Sequence, residues 1–327
     1  MSDRLMISQT TWRGVPAWLV QGETLEAVVT QGGAHLACLW RHGETLNPLW
    51  QPPWAPGDPR RGRASGAWGD GPEASLLATI VGSNLCLDRF GSAWPGEDRP
   101  VHGETSGVLW QHRGDACFTA DLPQARLTVE RSLRFMGDTL QLTVAVRHAD
   151  PAARAVEWCE HVSLGDPFLS HAVCHAGIDA AWKAPWADQA DSVHPAIPPL
   201  GAVQPATALR LPAEDDPPCG DVLACRVTSG WWTATNQHLG RRLTARWDHD
   251  QFPWLTLWTQ HRSRRSAPWH GRTRARGLEI SSKPFPEGQP PAERSPQWQG
   301  RPTVALLPPH VWTRRAISLT WETIPHA

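Results

Sequence analysis

Apolar side chains recur at every second position along much of this chain, and almost nowhere at the spacing of a helix. Over residues 126–135, Leu127, Val129, Leu133 and Phe135 fall on one face, with Thr128, Glu130 and Arg134 opposite. Residues 139–148 repeat the pattern with Leu140, Leu142, Val144 and Val146, and Met136-Gly137-Asp138 links the two stretches. A period of two is the geometry of a strand with one buried face, and a short link containing Gly is a hairpin signal. Further apolar runs occupy 17–20, 26–30, 35–40, 222–228, 243–247, 254–258, 277–281 and 316–321. No stripe of helical period survives two turns. The pattern predicts an all-β protein, a large antiparallel sandwich.

Prolines cluster at 52–59, 195–218 and 284–302. Strand patterns continue on both sides of each cluster, so the clusters read as long loops rather than linkers. The chain, 327 residues long, is then expected to be one domain over 1–327, with a core at about 13–324. No repeat of fixed period is present.

Charge and composition exclude several function classes. Lys and Arg number 31 against 32 Asp and Glu, a formal charge of -1, which provides no electrostatic footprint for nucleic acid. Hydrophobic residues make up 40%, too many for a disordered chain. No apolar run approaches the roughly 18 residues of a membrane helix, so no membrane partner is expected. Residues 1–12 lack the apolar stretch of a secretion signal. The seven cysteines, odd in number and without a CxxC pair, read as reduced thiols of a cytoplasmic protein. The 20 Trp, beside no Tyr at all, are expected mostly to fill the core, with a few lining a pocket.

The chain has no phosphate-binding loop, no dinucleotide fingerprint, no HExxH and no GxSxG, and no cofactor is expected. His171-Ala172-Val173-Cys174-His175 is the one metal-like cluster. On a strand its residues alternate between faces and cannot converge on one ion, so no metal site is expected. Arg262, Arg264, Arg265, Arg272, Arg274 and Arg276 surround Trp269, a mixture that suits a phosphate or a sugar face as well as a solvated loop.

Three segments concentrate polar groups inside apolar surroundings. They are Asn84-Leu85-Cys86-Leu87-Asp88-Arg89-Phe90-Gly91 with Pro100-Val101-His102-Gly103-Glu104, then Glu157 onward through Trp158, Glu160 and His161, then Gly271-Arg272-Thr273 running into Gly277-Leu278-Glu279-Ile280. Together they resemble the aldose 1-epimerase (galactose mutarotase-like) family, in particular its divergent bacterial members. Gly32-Gly33 resembles the family's early Gly-Gly, and Asp88-Arg89-Phe90 its Asn-Arg-Ile. Val101-His102-Gly103 with Trp110 resembles its Leu-His-Gly and Trp, Glu160-His161 its Asn-His, and Leu278-Glu279 before Pro284 its late Leu-Glu.

The resemblance implies a β-supersandwich with its pocket on a concave sheet face, and a small-molecule sugar as partner. It implies Glu279 as general base, His161 as general acid, and His102 as a second catalytic or orienting histidine. Arg89 would bind sugar hydroxyls, with Glu160, Trp158 and Asn84 completing the substrate-binding set. The family's remaining sugar-binding Asp has no clear counterpart; Asp221 is the nearest. Opening a cyclic hemiacetal requires a base at the C1 hydroxyl and an acid at the ring oxygen, expected on opposite sides of the ring, each transfer contributing ~10²–10⁴-fold. Imidazole is suited to the acid because it titrates near neutrality. Glu160 stands where the family has Asn, and Ser-Ser-Lys-Pro-Phe-Pro follows Glu279 in place of the usual Thr-Gln and Pro-Asp arrangement. These departures leave the acid–base pair intact and the substrate open. A non-catalytic sugar-binding protein and a hexose-6-phosphate 1-epimerase are the alternatives on the same fold.

Overall fold

The computed structural model describes residues 5–59, 66–69, 71–93, 96–97, 99–186, 192–286 and 295–325. The chain opens with strands β1 (Met6–Trp12), β2 (Val15–Gln21), β3 (Leu25–Thr30) and β4 (Leu36–Arg41), then a single helical turn α1 (Ala74–Leu77) and β5 (Ser83–Asp88). It continues through β6 (Gln111–Gly114), β7 (Cys117–Leu122), β8 (Leu127–Met136), β9 (Thr139–His148), β10 (Arg154–Gly165) and β11 (Val173–Lys183). After β12 (Ala202–Val203) and the turn α2 (Pro205–Ala208) come β13 (Cys219–Asn236), β14 (Arg241–Trp247), β15 (Trp254–His261) and β16 (Arg274–Ser281). The short β17 (Gln297–Trp298), β18 (Arg301–Pro302) and β19 (Ala305–Leu307) precede the last strand, β20 (Thr313–Thr323).

The strand pairings are antiparallel throughout and form two layers. One runs β1-β2-β3-β4-β5-β10-β16-β15-β13, and the other runs β6-β7-β8-β9-β20-β14-β13. β13 belongs to both, because residues 219–226 pair with β15 and residues 231–236 with β14. β11 follows it across the bend, with register irregularities around Gly177. The alternation read from β8 and β9 is the observed one: Leu127, Val129, Leu133, Phe135, Leu140, Leu142, Val144 and Val146 are all buried. They meet Leu85, Leu87, Val156, Trp158, Val162, Leu278 and Ile280 of the first layer in one continuous core. The protein is therefore an all-β antiparallel sandwich.

The first layer is buried on its second face as well. β5 is buried at every position and β10 from Val156 onward. A strand covered on both sides has no wet face, so the polar residues of these segments, Asn84, Glu157, Glu160, His161 and Ser163, are buried as well. The cover over β10, β16 and β15 is the proline-rich 52–59 loop, α1 and the 262–273 loop. Trp50, Trp54, Leu76, Leu77, Ile80 and Trp269 cluster there against Trp258. Trp50 and Trp269 stack with planes 13° apart, and Trp54 donates its indole N–H to Leu77 O at 2.8 Å.

The seven cysteines are all free thiols. Cys174 is buried while its neighbours His175 and Val173 are exposed, the alternation expected of the His171–His175 segment. Among the described residues no group of three His, Cys, Asp or Glu is placed to hold a metal ion, and no helix is long and apolar enough to cross a membrane.

Candidate active site

Cross-strand register builds the site. His161 on β10 pairs with Asn84 on β5 and with Glu279 on β16, and Glu279 pairs with Thr256 on β15. Directly opposed residues share a face, so Asn84, His161, Glu279 and Thr256 form one rung across the covered face of the layer. The next rung is Ser163, Gly277, Trp258 and Val222. Over these rungs lies a cavity of about 230 Å³. His102, His161, Glu279, Trp258 and Trp269 line it, together with Glu73, Arg264 and Val101.

His161 and Glu279 touch on the cavity floor, Nε2 to Oε1 at 3.0 Å, both almost fully buried. Ser163 Oγ stands 3.2 Å from the other ring nitrogen, Nδ1. Burial raises the Glu279 carboxyl well above its ordinary range, with Arg276 partly opposing. Burial also lowers His161 to about 4, partly offset by a hydrogen bond to its own backbone carbonyl. The two shifts run in opposite directions and reverse the usual order of proton affinity, so that a proton shared by the pair favours Glu279. The two groups expected on opposite sides of a ring are instead side by side.

Glu279 reaches this position only because residue 277 is glycine. A Cβ at Gly277 would lie 2.5 Å from Glu279 Oε1 and 3.0 Å from Trp258 Cβ. The carboxylate folds back over that bare backbone toward His161.

His102 enters from the turn after β5, in a left-handed conformation (φ 63°). Its backbone N–H donates to Gly91 O at 2.8 Å, and Gly91 N–H donates to its Nδ1 at 3.0 Å. Nδ1 is therefore bare and Nε2 carries the ring proton. Its ring stacks on Phe90 and stands edge-on to His161, centroids 5.5 Å apart. Burial, then His161 and Arg264, hold its pKa well below 6.5, so it is a neutral donor.

The remaining expected residues are distributed differently. Asn84 is fully buried in the rung of His161, with its amide nitrogen 3.5 Å from Cys86 Sγ. Arg89 is buried at the end of β5 and donates to Glu97 at 2.6 Å; the chain then runs through Phe90 to Gly91 and Ser92, which do line the cavity. Trp158 and Glu160 alternate with His161 and so face the sandwich core. Trp158 packs on Phe252 and under Arg315, and Glu160 accepts from buried Arg131 at 3.1 Å. Trp110 is likewise a core residue. Asp221 is on the core face too, where it accepts from Ser192 Oγ and the His194 N–H.

Several wall residues lie outside the set of expected site residues. Arg264 lies 4.8 Å over the Trp269 ring and 2.8 Å from Glu73, which begins α1. Trp186, half exposed, stands at the cavity edge. Arg264 and Trp269 were visible as a basic, aromatic stretch. Glu73 carried no signal, because a one-turn helix has no periodicity to detect.

No known protein-family profile matches the chain, and no curated protein matches it in sequence. Solved structures do resemble it. A Klebsiella pneumoniae protein, provisionally assigned as an aldose 1-epimerase, superposes with TM-score 0.68 at 15% identity, over 98% of this chain and 84% of its own. A galactose mutarotase-like protein from Clostridium acetobutylicum gives 0.64 at 11%, over 98% and 99%. A galactose mutarotase related enzyme from Lactobacillus acidophilus gives 0.62 at 12%, over 94% and 98%. Across nearly its whole length, the chain has the galactose mutarotase-like fold.

Proposed function

We propose that the protein is a carbohydrate isomerase of aldose 1-epimerase type, which interconverts the anomers of a small sugar by opening and reclosing its ring at C1. The observation that carries this reading is the Glu279–His161 contact on the floor of a cavity that His102 also lines. The hydroxyl oxygen and ring oxygen of a hemiacetal share one carbon, so they can face two adjoining protein atoms together. Glu279 takes the C1 hydroxyl proton as the bond from C1 to the ring oxygen breaks, and His161 gives the ring oxygen the proton on its Nε2. The pair passes from carboxylate and imidazolium, its reacting form, to carboxylic acid and neutral imidazole, the form that burial favours, so its net charge does not change. After rotation about C1–C2 the same transfers run backward onto the other face. His102 offers its Nε2–H to a sugar oxygen, and Trp258, partly exposed in the cavity, supplies an apolar surface for a pyranose. Free thiols throughout fit a reducing, cytoplasmic setting.

The test is polarimetry on freshly dissolved α-anomers of a broad aldose panel. Acceleration of at least one sugar is expected; none accelerated, with saccharide binding intact, would leave a non-catalytic binding protein. A second reading, a sugar phosphate as substrate, has one observation in its favour: Arg264 is the guanidinium at the cavity wall. Its bond to Glu73 joins two residues each 40% exposed, and a half-exposed ion pair of about 0–1 kcal/mol gives way readily to a stronger anion. Inorganic phosphate should then compete with substrate, and Arg264→Ala should abolish the competition.

A further inference from the structure

The proton chemistry proposed for His161 requires its Nε2 to be the exchanging nitrogen. A neutral imidazole has two tautomers, and only the one protonated on Nδ1 leaves Nε2 bare after the proton has gone to the sugar. Something must hold that tautomer. Ser163 is on the same face of β10, two residues on, almost fully buried, with Oγ 3.2 Å from Nδ1. Its hydroxyl rotates freely and carries lone pairs that can accept from Nδ1–H. The residue directly opposite it is Gly277, which presents no side chain to compete. Ser163 does not line the cavity, and its backbone is fixed on both sides: its N–H donates to Gly82 O at 2.9 Å and its carbonyl accepts from Trp50 N–H at 2.8 Å.

We propose that Ser163 is the positioning residue of this site: its hydroxyl accepts from His161 Nδ1–H, pins the tautomer with a bare Nε2, and so directs proton exchange to the atom that faces Glu279. Gly277, beside it in the same rung, leaves the space in which the Glu279 carboxylate meets that nitrogen. The inference rests on the isomerase reading for its catalytic meaning. Its structural content, the Ser163 hydroxyl joining the His161 residue's own carbonyl in holding the tautomer protonated on Nδ1, stands independently of any substrate.

The experiment compares wild type, Ser163→Ala and Ser163→Thr in the full chain. Nitrogen-15 NMR of the imidazole side chains at neutral pH reads the His161 tautomer directly. Wild type and Ser163→Thr should show Nδ1 as the protonated, pyrrole-type nitrogen; Ser163→Ala should move population to the form protonated on Nε2. In anomer exchange, Ser163→Ala should lose kcat on the order of 10–100-fold, the scale seen when a group that orients a histidine is removed, with KM little changed, and Ser163→Thr should recover most of the rate. A wild-type His161 protonated on Nε2, or a tautomer that ignores Ser163→Ala, overturns the assignment. If the tautomer responds as expected but no sugar is turned over, the role of Ser163 stands and the isomerase reading fails.

Discussion

His161 and Glu279 are an imidazole and a carboxyl taken out of water together, and each acquires its proposed use from that burial. In solution the carboxyl holds its proton about two pH units less tightly than imidazole. In the cavity floor burial lifts the one and lowers the other to about 4. Removing either partner removes a proton transfer, so Glu279→Gln and His161→Ala should each lower the anomerisation rate by about 10²–10⁴-fold, read by polarimetry. A histidine kept neutral by burial also makes stability depend on pH. His35, fully buried beside Thr79, is lowered to about 3 by burial first and then by Arg131 and His161. Between its unfolded value of about 6.5 and that folded value the unfolded chain binds more protons, so stability falls as pH drops through this window. The urea midpoint should decline from pH 7 to pH 4.5, and His35→Leu should flatten that decline; an unchanged slope would remove His35 as its source.

Strand register decides which side chains reach the cavity. β10 sends His161 and Ser163 to one face and Trp158, Glu160 and Val162 to the other. Glu160→Leu should therefore act on the fold, since it strands buried Arg131 without its carboxylate, at a cost of about 3–5 kcal/mol. Denaturant melts measure that cost, and KM for a turned-over sugar should stay near wild type; a KM change without a stability loss would return Glu160 to the substrate. On β16, Gly277→Ala should push Glu279 off His161 and reduce turnover by about 10²-fold or more while the melting midpoint moves little, a comparison of rate against thermal unfolding. The β8–β9 hairpin and the all-β class were legible because one face of each strand is wet, which writes a period of two into the residues. β1 and β6 were not, because Met6–Trp12 and Gln111–Gly114 are edge segments largely open to solvent and carry little alternation. His102, His161 and Glu279 stood out as polar residues in apolar runs. Their side-by-side arrangement did not, because it depends on the pairing of β10 with β16, residues far apart in the chain.

At the scale of the molecule, one layer of the sandwich serves two masters. Its inner face belongs to the core shared with β8, β9 and β20, and its outer face is roofed by loops and a tryptophan cluster that leave a cavity over two rungs. Among the described residues, tryptophans occupy core positions such as Trp110 and Trp158 as well as the cavity wall at Trp258 and Trp269, and the 52–59 proline cluster forms part of the roof. A formal charge of only -1 suits an uncharged or singly charged small molecule, and Arg264 with Glu73 forms an ion pair at that wall. The central claim is that this cavity opens and recloses a sugar ring. Two-dimensional NMR exchange between the α and β anomeric protons of an equilibrated sugar tests it most directly, with wild type and Glu279→Gln run side by side. The account predicts exchange cross-peaks with the wild-type protein, and their near-complete loss in Glu279→Gln. Wild-type exchange no faster than buffer for every aldose and aldose phosphate tried, or equal exchange in Glu279→Gln, would contradict it.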